Sequence, residues 1–150
     1  MIRIAFNDGV REFAAEGKSY IDLLSSIDPK LLSSYVAVRD GENIIALRDV
    51  PADGASVELV GVESKEALNV LRHTATHIMA EAVKHLFPEA KLTIGPATET
   101  GFFYDFECTP FTKENLEAIE KEMKKIIKQS PRIERKVVSR EEAVELMKTK

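Results

Sequence analysis

The chain has no tryptophan and a single cysteine, Cys108, among its 150 residues. One thiol cannot close an internal disulfide, so a small secreted, cross-linked framework is excluded and a reducing cytosol is the expected setting. Long apolar runs are also missing. Nothing approaches the roughly eighteen consecutive apolar residues of a membrane span. The opening run Met1-Ile2-Arg3-Ile4-Ala5-Phe6-Asn7-Asp8-Gly9 reaches a turn signal before a secretory apolar core can develop. A cytoplasmic location and no membrane partner are therefore expected. Internal repeats and low-complexity tracts are lacking too. Excess positive charge is absent: the formal net charge is −4, which leaves no overall basic footprint for nucleic acid.

What is present describes an ordinary soluble protein, 44% apolar and 31% charged, long enough for one domain or two small ones. The charge is uneven. Residues 1–62 carry six basic against ten acidic side chains, and residues 63–150 carry fifteen of each. Within 121–140, Lys121, Lys124, Lys125, Lys128, Arg132, Arg135, Lys136 and Arg140 face only Glu122 and Glu134. That excess could meet phosphates or be the solvated face of a helix and a following strand.

Residues 1–62 read as a β-rich unit. Ile2, Ile4 and Phe6 alternate with Arg3 and Ala5, and Asn7-Asp8-Gly9 turns the chain into Val10-Arg11-Glu12-Phe13. Ser19 caps a helix bearing Ile21, Leu23, Leu24 and Ile27, which stops near Asp28-Pro29. Strands at 35–39, 44–47 and 56–60 follow, the first two joined by the turn Asp40-Gly41-Glu42-Asn43. This order predicts a β-grasp, or ubiquitin-like, sheet on one helix. The expected boundary lies at 61–64, so that residues 63–150 form a second α+β unit.

Ser64 caps the second unit's long helix, with Glu66 in its first turn, and Phe87-Pro88 ends it. At about 100° per residue, Leu68, Leu71, Ala75, Ile78, Met79, Ala82 and Leu86 make its apolar stripe. His73 and His77 fall almost opposite, beside Ala80 and Lys84. Further expectations are a strand at 91–94 and an aromatic strand at 101–106 enclosed on both faces. A third helix capped by Thr112 carries Leu116, Ile119, Met123 and Ile126 and stops at Ser130-Pro131. A strand at 133–138 and a last helix opened by a Ser139/Glu142 capping box complete the unit.

The histidine pair carries the chemical signal. Residues i and i+4 on a helix are neighbours, with β-carbons about 5–6 Å apart, so the two imidazoles can converge on one small polar ligand. Solvated surface histidines are the bland alternative. A zinc protease needs glutamate after the first histidine, where this chain has Thr74. A structural zinc site needs four ligands, and His85 is rotated away from His77 by about 80°. No nucleophile-elbow pattern is present. Two imidazoles able to position or deprotonate a water remain, with no metal expected.

The run Leu71-Arg72-His73-Thr74-Ala75-Thr76-His77, followed by Phe87-Pro88, Ile94-Gly95-Pro96 and Gly101-Phe102-Phe103-Tyr104-Asp105-Phe106, resembles the editing domain of bacterial-type threonyl-tRNA synthetases. The preceding unit resembles the TGS domain that opens those enzymes. Alanyl-tRNA synthetases and their freestanding relatives share the histidine-pair domain but do not open with a TGS unit.

The resemblance implies proofreading. A site built for threonine rejects serine by only about 1–3 kcal/mol, the worth of one methyl. The family answers with a second pocket that hydrolyses mischarged seryl-tRNA(Thr) and keeps threonine out. His73 and His77 would then be catalytic, orienting the ester and its attacking water, for which an imidazole suits. Tyr104 and Gly95 would line the substrate pocket, with Tyr104 stacking on the terminal adenosine or simply packing in the core. The acceptor end of tRNA(Thr) is the implied partner.

The family's remaining editing residues, a cysteine-and-histidine motif and a lysine, lie in later sequence, as do the aminoacylation domain with ATP, magnesium and zinc and the anticodon-binding domain. A homodimer of the parent enzyme through those domains is implied. The expectation is thus an N-terminal portion of such an enzyme, inactive alone. The alternative is a non-catalytic TGS-plus-half-domain module for RNA contact or regulation.

Overall fold

The computed structural model describes every residue except 15, 132–135, 149 and 150. The chain begins with a hairpin of β1 (Ile2–Phe6) and β2 (Gly9–Phe13), antiparallel with Ile2 opposite Phe13 and Phe6 opposite Gly9. The helix α1 (Tyr20–Ile27) follows, and Ser19 opens it with a complete capping box to Asp22. A 3-10 turn at Pro29–Ser33 leads into β3 (Tyr35–Asp40), β4 (Asn43–Ala46) and β5 (Ser56–Gly61). The sheet order is β2-β1-β5-β3-β4, with β1 and β5 parallel and the other neighbours antiparallel. This is the expected β-grasp arrangement.

Alternation along the strands gives the sheet two buried faces. Ile2, Ile4, Val38 and Val57 pack with Tyr20, Leu23 and Leu24 of α1 and with Leu47. Ala37 and Val60, out of phase with Val38 and Val57, pack instead with Ala67 at the start of the next helix. That helix, α2 (Lys65–Leu86), is capped by the Ser64 hydroxyl accepting from the Ala67 amide, and its Glu66 pairs with Arg39 of β3 at 2.6 Å.

Beyond α2, the short strands β6 (Lys91–Leu92) and β7 (Phe106–Glu107) pair antiparallel. Helix α3 (Lys113–Gln129) carries the predicted Thr112 cap, as a capping box with Asn115, and ends on Ser130 in the left-handed region. Ala82, Val83, Ala90, Ile119 and Ile126 form a second core, joined by Ile78, Met79, Phe87, Phe106, Phe111 and Met123. Helix α4 (Arg140–Lys148) opens with the predicted Ser139/Glu142 box. The protein is α+β, as expected. No helix among the described residues is long and apolar enough to cross a membrane.

Several local expectations need correction. The buried residues of α2 are Ala67, Thr76, Ala80, Ala82 and Val83, whereas Leu68, Leu71 and Leu86 are 46%, 50% and 38% exposed. Small residues let α3 and the sheet approach closely, so the packing partner and not the bulkiest stripe decides the buried face. Ala80, expected on the histidine side, is buried, and His73 lies about 80° around the helix from Val83. The histidines therefore flank the packed face instead of opposing it.

The strands expected at 91–94 and 101–106 shrink to two residues each in regular pairing, with one further bridge between Ala97 and Phe102. Gly95-Pro96 interrupts the ladder, since proline offers no N–H to donate. Phe102 and Phe103 are not enclosed but 37% and 45% exposed, and Leu116 of α3 is likewise exposed. The strand expected at 133–138 lies partly outside the described residues, and 136–138 are not strand.

Candidate functional site

Helix α2 sets His73 and His77 one turn apart on an exposed surface. Their rings meet edge to face, centroids 4.7 Å apart and planes at 87°, and the two Nε2 atoms lie 3.1 Å from one another. A bond between two such nitrogens requires one to donate and the other to accept, so the imidazoles hold complementary tautomers. Among the described residues, neither ring nitrogen of either histidine has another partner. Once the rings part and this direct bond opens, a water between them could give its proton to one Nε2 and accept a hydrogen bond from the other. The intervening threonines do not compete, because Thr74 donates to the Val70 carbonyl at 3.0 Å and Thr76 to the His73 carbonyl at 2.7 Å.

The chain preceding and following Gly95-Pro96 folds back as an irregular ribbon. Lys91 and Leu92 pair with Glu107 and Phe106, the Asp105 amide donates to the Ile94 carbonyl at 2.8 Å, and the Thr98 amide to the Gly101 carbonyl at 2.8 Å. Tyr104 lies on this ribbon, half-buried, its ring stacked on Phe106 with centroids 4.8 Å apart and planes within 20°. Its other close neighbour is Gly95. A β-carbon at that position would stand 2.1 Å from Cδ2 of the tyrosine ring, so only glycine fits against the ring as it lies. Gly95 and Tyr104 thus form one contact, as the histidines form another.

Arg72 connects the two. From the residue before His73 it crosses to the ribbon tip, donating through Nη1 to the carbonyls of Thr98 at 3.0 Å and Glu99 at 2.7 Å. The tip is closed further by the Gly101 amide donating to the Thr98 hydroxyl at 3.0 Å. Sequence reasoning missed this role. A signal was available: positions three and four away on either side of Arg72 are Leu68, Asn69, Ala75 and Thr76, with no carboxylate to hold it within the helix.

The remaining histidine and the cysteine stand elsewhere. His85 donates from Nδ1 to Glu122 of α3 at 3.0 Å, and Lys125 reaches the same carboxylate at 3.2 Å. These two hydrogen bonds, His85 first, hold the Glu122 carboxyl below its usual range. Cys108 is exposed beside a cavity of about 550 Å3 lined by Phe87, Pro88 and Phe111. Among the described residues, no cluster of three or more histidine, cysteine, aspartate or glutamate side chains is arranged to hold a metal ion.

No protein-family model matches the chain. Among curated proteins, the threonine–tRNA ligase of Citrifermentans bemidjiense is 44% identical over 148 residues, 98% of this chain and 23% of the relative. That of Pelobacter propionicus is 46% identical over 147 residues, covering 97% and 23%. One from Clostridium botulinum (strain Loch Maree) is 46% identical over 153 residues, covering 100% and 24%. The resemblance to threonyl-tRNA synthetases expected from the motifs is shown across nearly the whole chain, which spans just under a quarter of the length of these relatives.

Proposed function

We propose that this chain is the leading portion of a threonyl-tRNA synthetase, and that its second unit contributes half of a site hydrolysing seryl-tRNA(Thr). The observation that carries the reading is the exposed pair of converging Nε2 atoms on α2. One imidazole accepts the proton of the attacking water while its partner donates to the water or the ester. Proton transfer by positioned groups contributes about 10²–10⁴-fold in rate. Tyr104 and Gly95 would form the wall that receives the terminal adenosine, and Arg72 keeps that wall in register with the histidines.

The reading places a domain boundary at 62/63, with a TGS-like unit before it. It gives the acceptor end of tRNA(Thr) as partner and requires no metal in these 150 residues. ATP, magnesium and zinc belong to the ligase chemistry of the longer protein and its expected homodimer, which we place in the cytoplasm. The 150-residue chain alone would be inactive, because hydrolysis needs ester, water and polarising groups held together. Among the described residues the imidazoles face only each other.

That same isolation favours a second reading, a non-catalytic module for RNA contact or regulation. The test is release of labelled serine from mischarged threonine tRNA by three proteins: this chain, the longer protein containing it, and the longer protein with His73→Ala. The expected pattern is no enzymatic release, rapid release, and a loss of about 100-fold or more. Full activity with His73→Ala would make α2 scaffold and leave the second reading standing.

A further inference from the structure

The β-grasp unit has a cavity, largely apolar in its walls but carrying two carboxylates and a phenol, that the proposed editing role does not use. It measures about 490 Å3 and is lined by Tyr20, Asp40, Ile45 and Asp49, with the 50–52 segment and Ala55 closing it. Tyr20 is only 2% exposed, yet its hydroxyl makes no hydrogen bond among the described residues. Among those residues no fully buried side-chain polar atom lacks a partner, so the hydroxyl is not sealed from solvent, and Tyr20 lines the cavity. Asp40 and Asp49 have no ion pair among the described residues.

Position is fixed by the backbone. The Tyr20 amide donates to the Asp49 carbonyl at 3.2 Å, and the Ile21 amide to the Leu47 carbonyl at 2.8 Å, which ties the start of α1 to the loop bearing Asp49. The neighbouring cations make no ion pair with Asp40 or Asp49 among the described residues. Arg39 pairs with Glu58 and Glu66, and Arg48 lines a separate cavity with Ser19 and Asp22. The unit as a whole carries six basic against ten acidic residues.

We propose that this cavity is a docking site for an alkylammonium group, namely the lysine side chain of a partner protein segment. Three separate acceptors, two carboxylates and a phenolic oxygen, match the three donors of an ammonium better than the flat fork of a guanidinium. The apolar wall of Ile45, Val50 and Pro51 suits the lysine's methylene stem. Burial, with the nearby Asp40 and Asp49 charges, raises the Tyr20 phenol above its ordinary value, so it stays a neutral hydroxyl at physiological pH.

The test is a nuclear magnetic resonance titration of the 150-residue protein with Nα-acetyl-lysine N-methylamide, following the Tyr20 ring. A saturable shift is expected, absent with the Nζ-acetylated neutral analogue and weakened roughly tenfold by Asp49→Asn or Asp40→Asn. Tyr20→Phe keeps the ring and should weaken binding by a smaller factor. The amide spectrum of each variant reports its fold, and any one folded aspartate variant decides the question. Equal saturation by the neutral analogue, unchanged affinity in a folded aspartate variant, or displacement of the probe by lower concentrations of magnesium chloride would overturn the proposal.

Discussion

Replacing Gly95 with alanine tests the ribbon's geometry directly. The new β-carbon would stand 2.1, 2.5 and 2.8 Å from Cδ2, Cε2 and Cγ of Tyr104, all far inside van der Waals contact. Three ring atoms are involved, so a rotation of the phenol tip cannot relieve the clash and the ring must translate. It is stacked on Phe106, which in turn lies edge-on to Phe111 at 5.8 Å. Overpacking of this kind costs about 1–3 kcal/mol, and loss of the stacked pair about 0.5–1.5 kcal/mol of what the ribbon gains from it. A destabilisation of roughly 1–3 kcal/mol is expected in urea unfolding, with the Tyr104 ring resonances displaced. The control is Tyr104→Ala, which empties the space. In that background the same glycine substitution should cost under about 0.5 kcal/mol, and the difference is the coupling energy of the pair. An equal cost in both backgrounds, or under about 0.5 kcal/mol in the parent, would refute the argument.

Arg72→Ala removes two charge-assisted bonds to the ribbon tip, each worth about 1.5–3 kcal/mol where buried and less where solvent reaches it. Amide exchange at Gly101 and Phe102 should quicken, with partial recovery in Arg72→Lys; unchanged exchange would mean the tip holds itself. Glu122 has a folded-state pKa below its usual value, so its contribution is present above 4.5 and lost as pH falls through the lowered folded value. Thermal melts should show Glu122→Gln flattening that acid limb, and an unaltered limb would assign it to other carboxylates. Thr112→Ala removes the α3 cap and should cost about 0.5–2 kcal/mol in denaturant unfolding. Limited proteolysis should cut first at 61–64 if two units meet there, and first cuts inside 35–60 would count heavily against that boundary.

Local chemistry was legible wherever a side chain answers to its own neighbourhood. Ser19, Ser64, Thr112 and Ser139 each cap the helix predicted from them, because a cap is a contact between residues three apart. The β1–β2 hairpin and the order of the first sheet were equally plain, since alternation and two-residue turns leave few pairings. Tertiary choice was not legible. Helix α2 has leucines on one side and alanines on another, and the sequence favours burying the leucines. The neighbours α3 and the sheet select Ala67, Ala82 and Val83 because close approach is possible only over small residues.

The candidate site divides along the same line. That His73 and His77 converge follows from helical geometry alone, and the 3.1 Å Nε2 separation agrees with it. That Gly95 and Tyr104 touch does not follow from any period, since nine residues and an irregular turn separate them. The dependence of one pair on the other is less visible still, because it runs through Arg72 and two backbone carbonyls. Backbone acceptors carry no sequence identity, so no pattern of residue types marks Thr98 and Glu99 as partners. An arginine without a helical carboxylate, placed directly before His73, is the one part of this link that a sequence can display. On the proposed reading the histidines would supply the chemistry, and Arg72, through the Thr98 and Glu99 carbonyls, would hold the ribbon bearing Tyr104 relative to them. If the proposed reading holds, Arg72→Ala in the longer protein should raise KM for seryl-tRNA(Thr) hydrolysis more than it lowers kcat, because both imidazoles are kept while substrate placement is loosened.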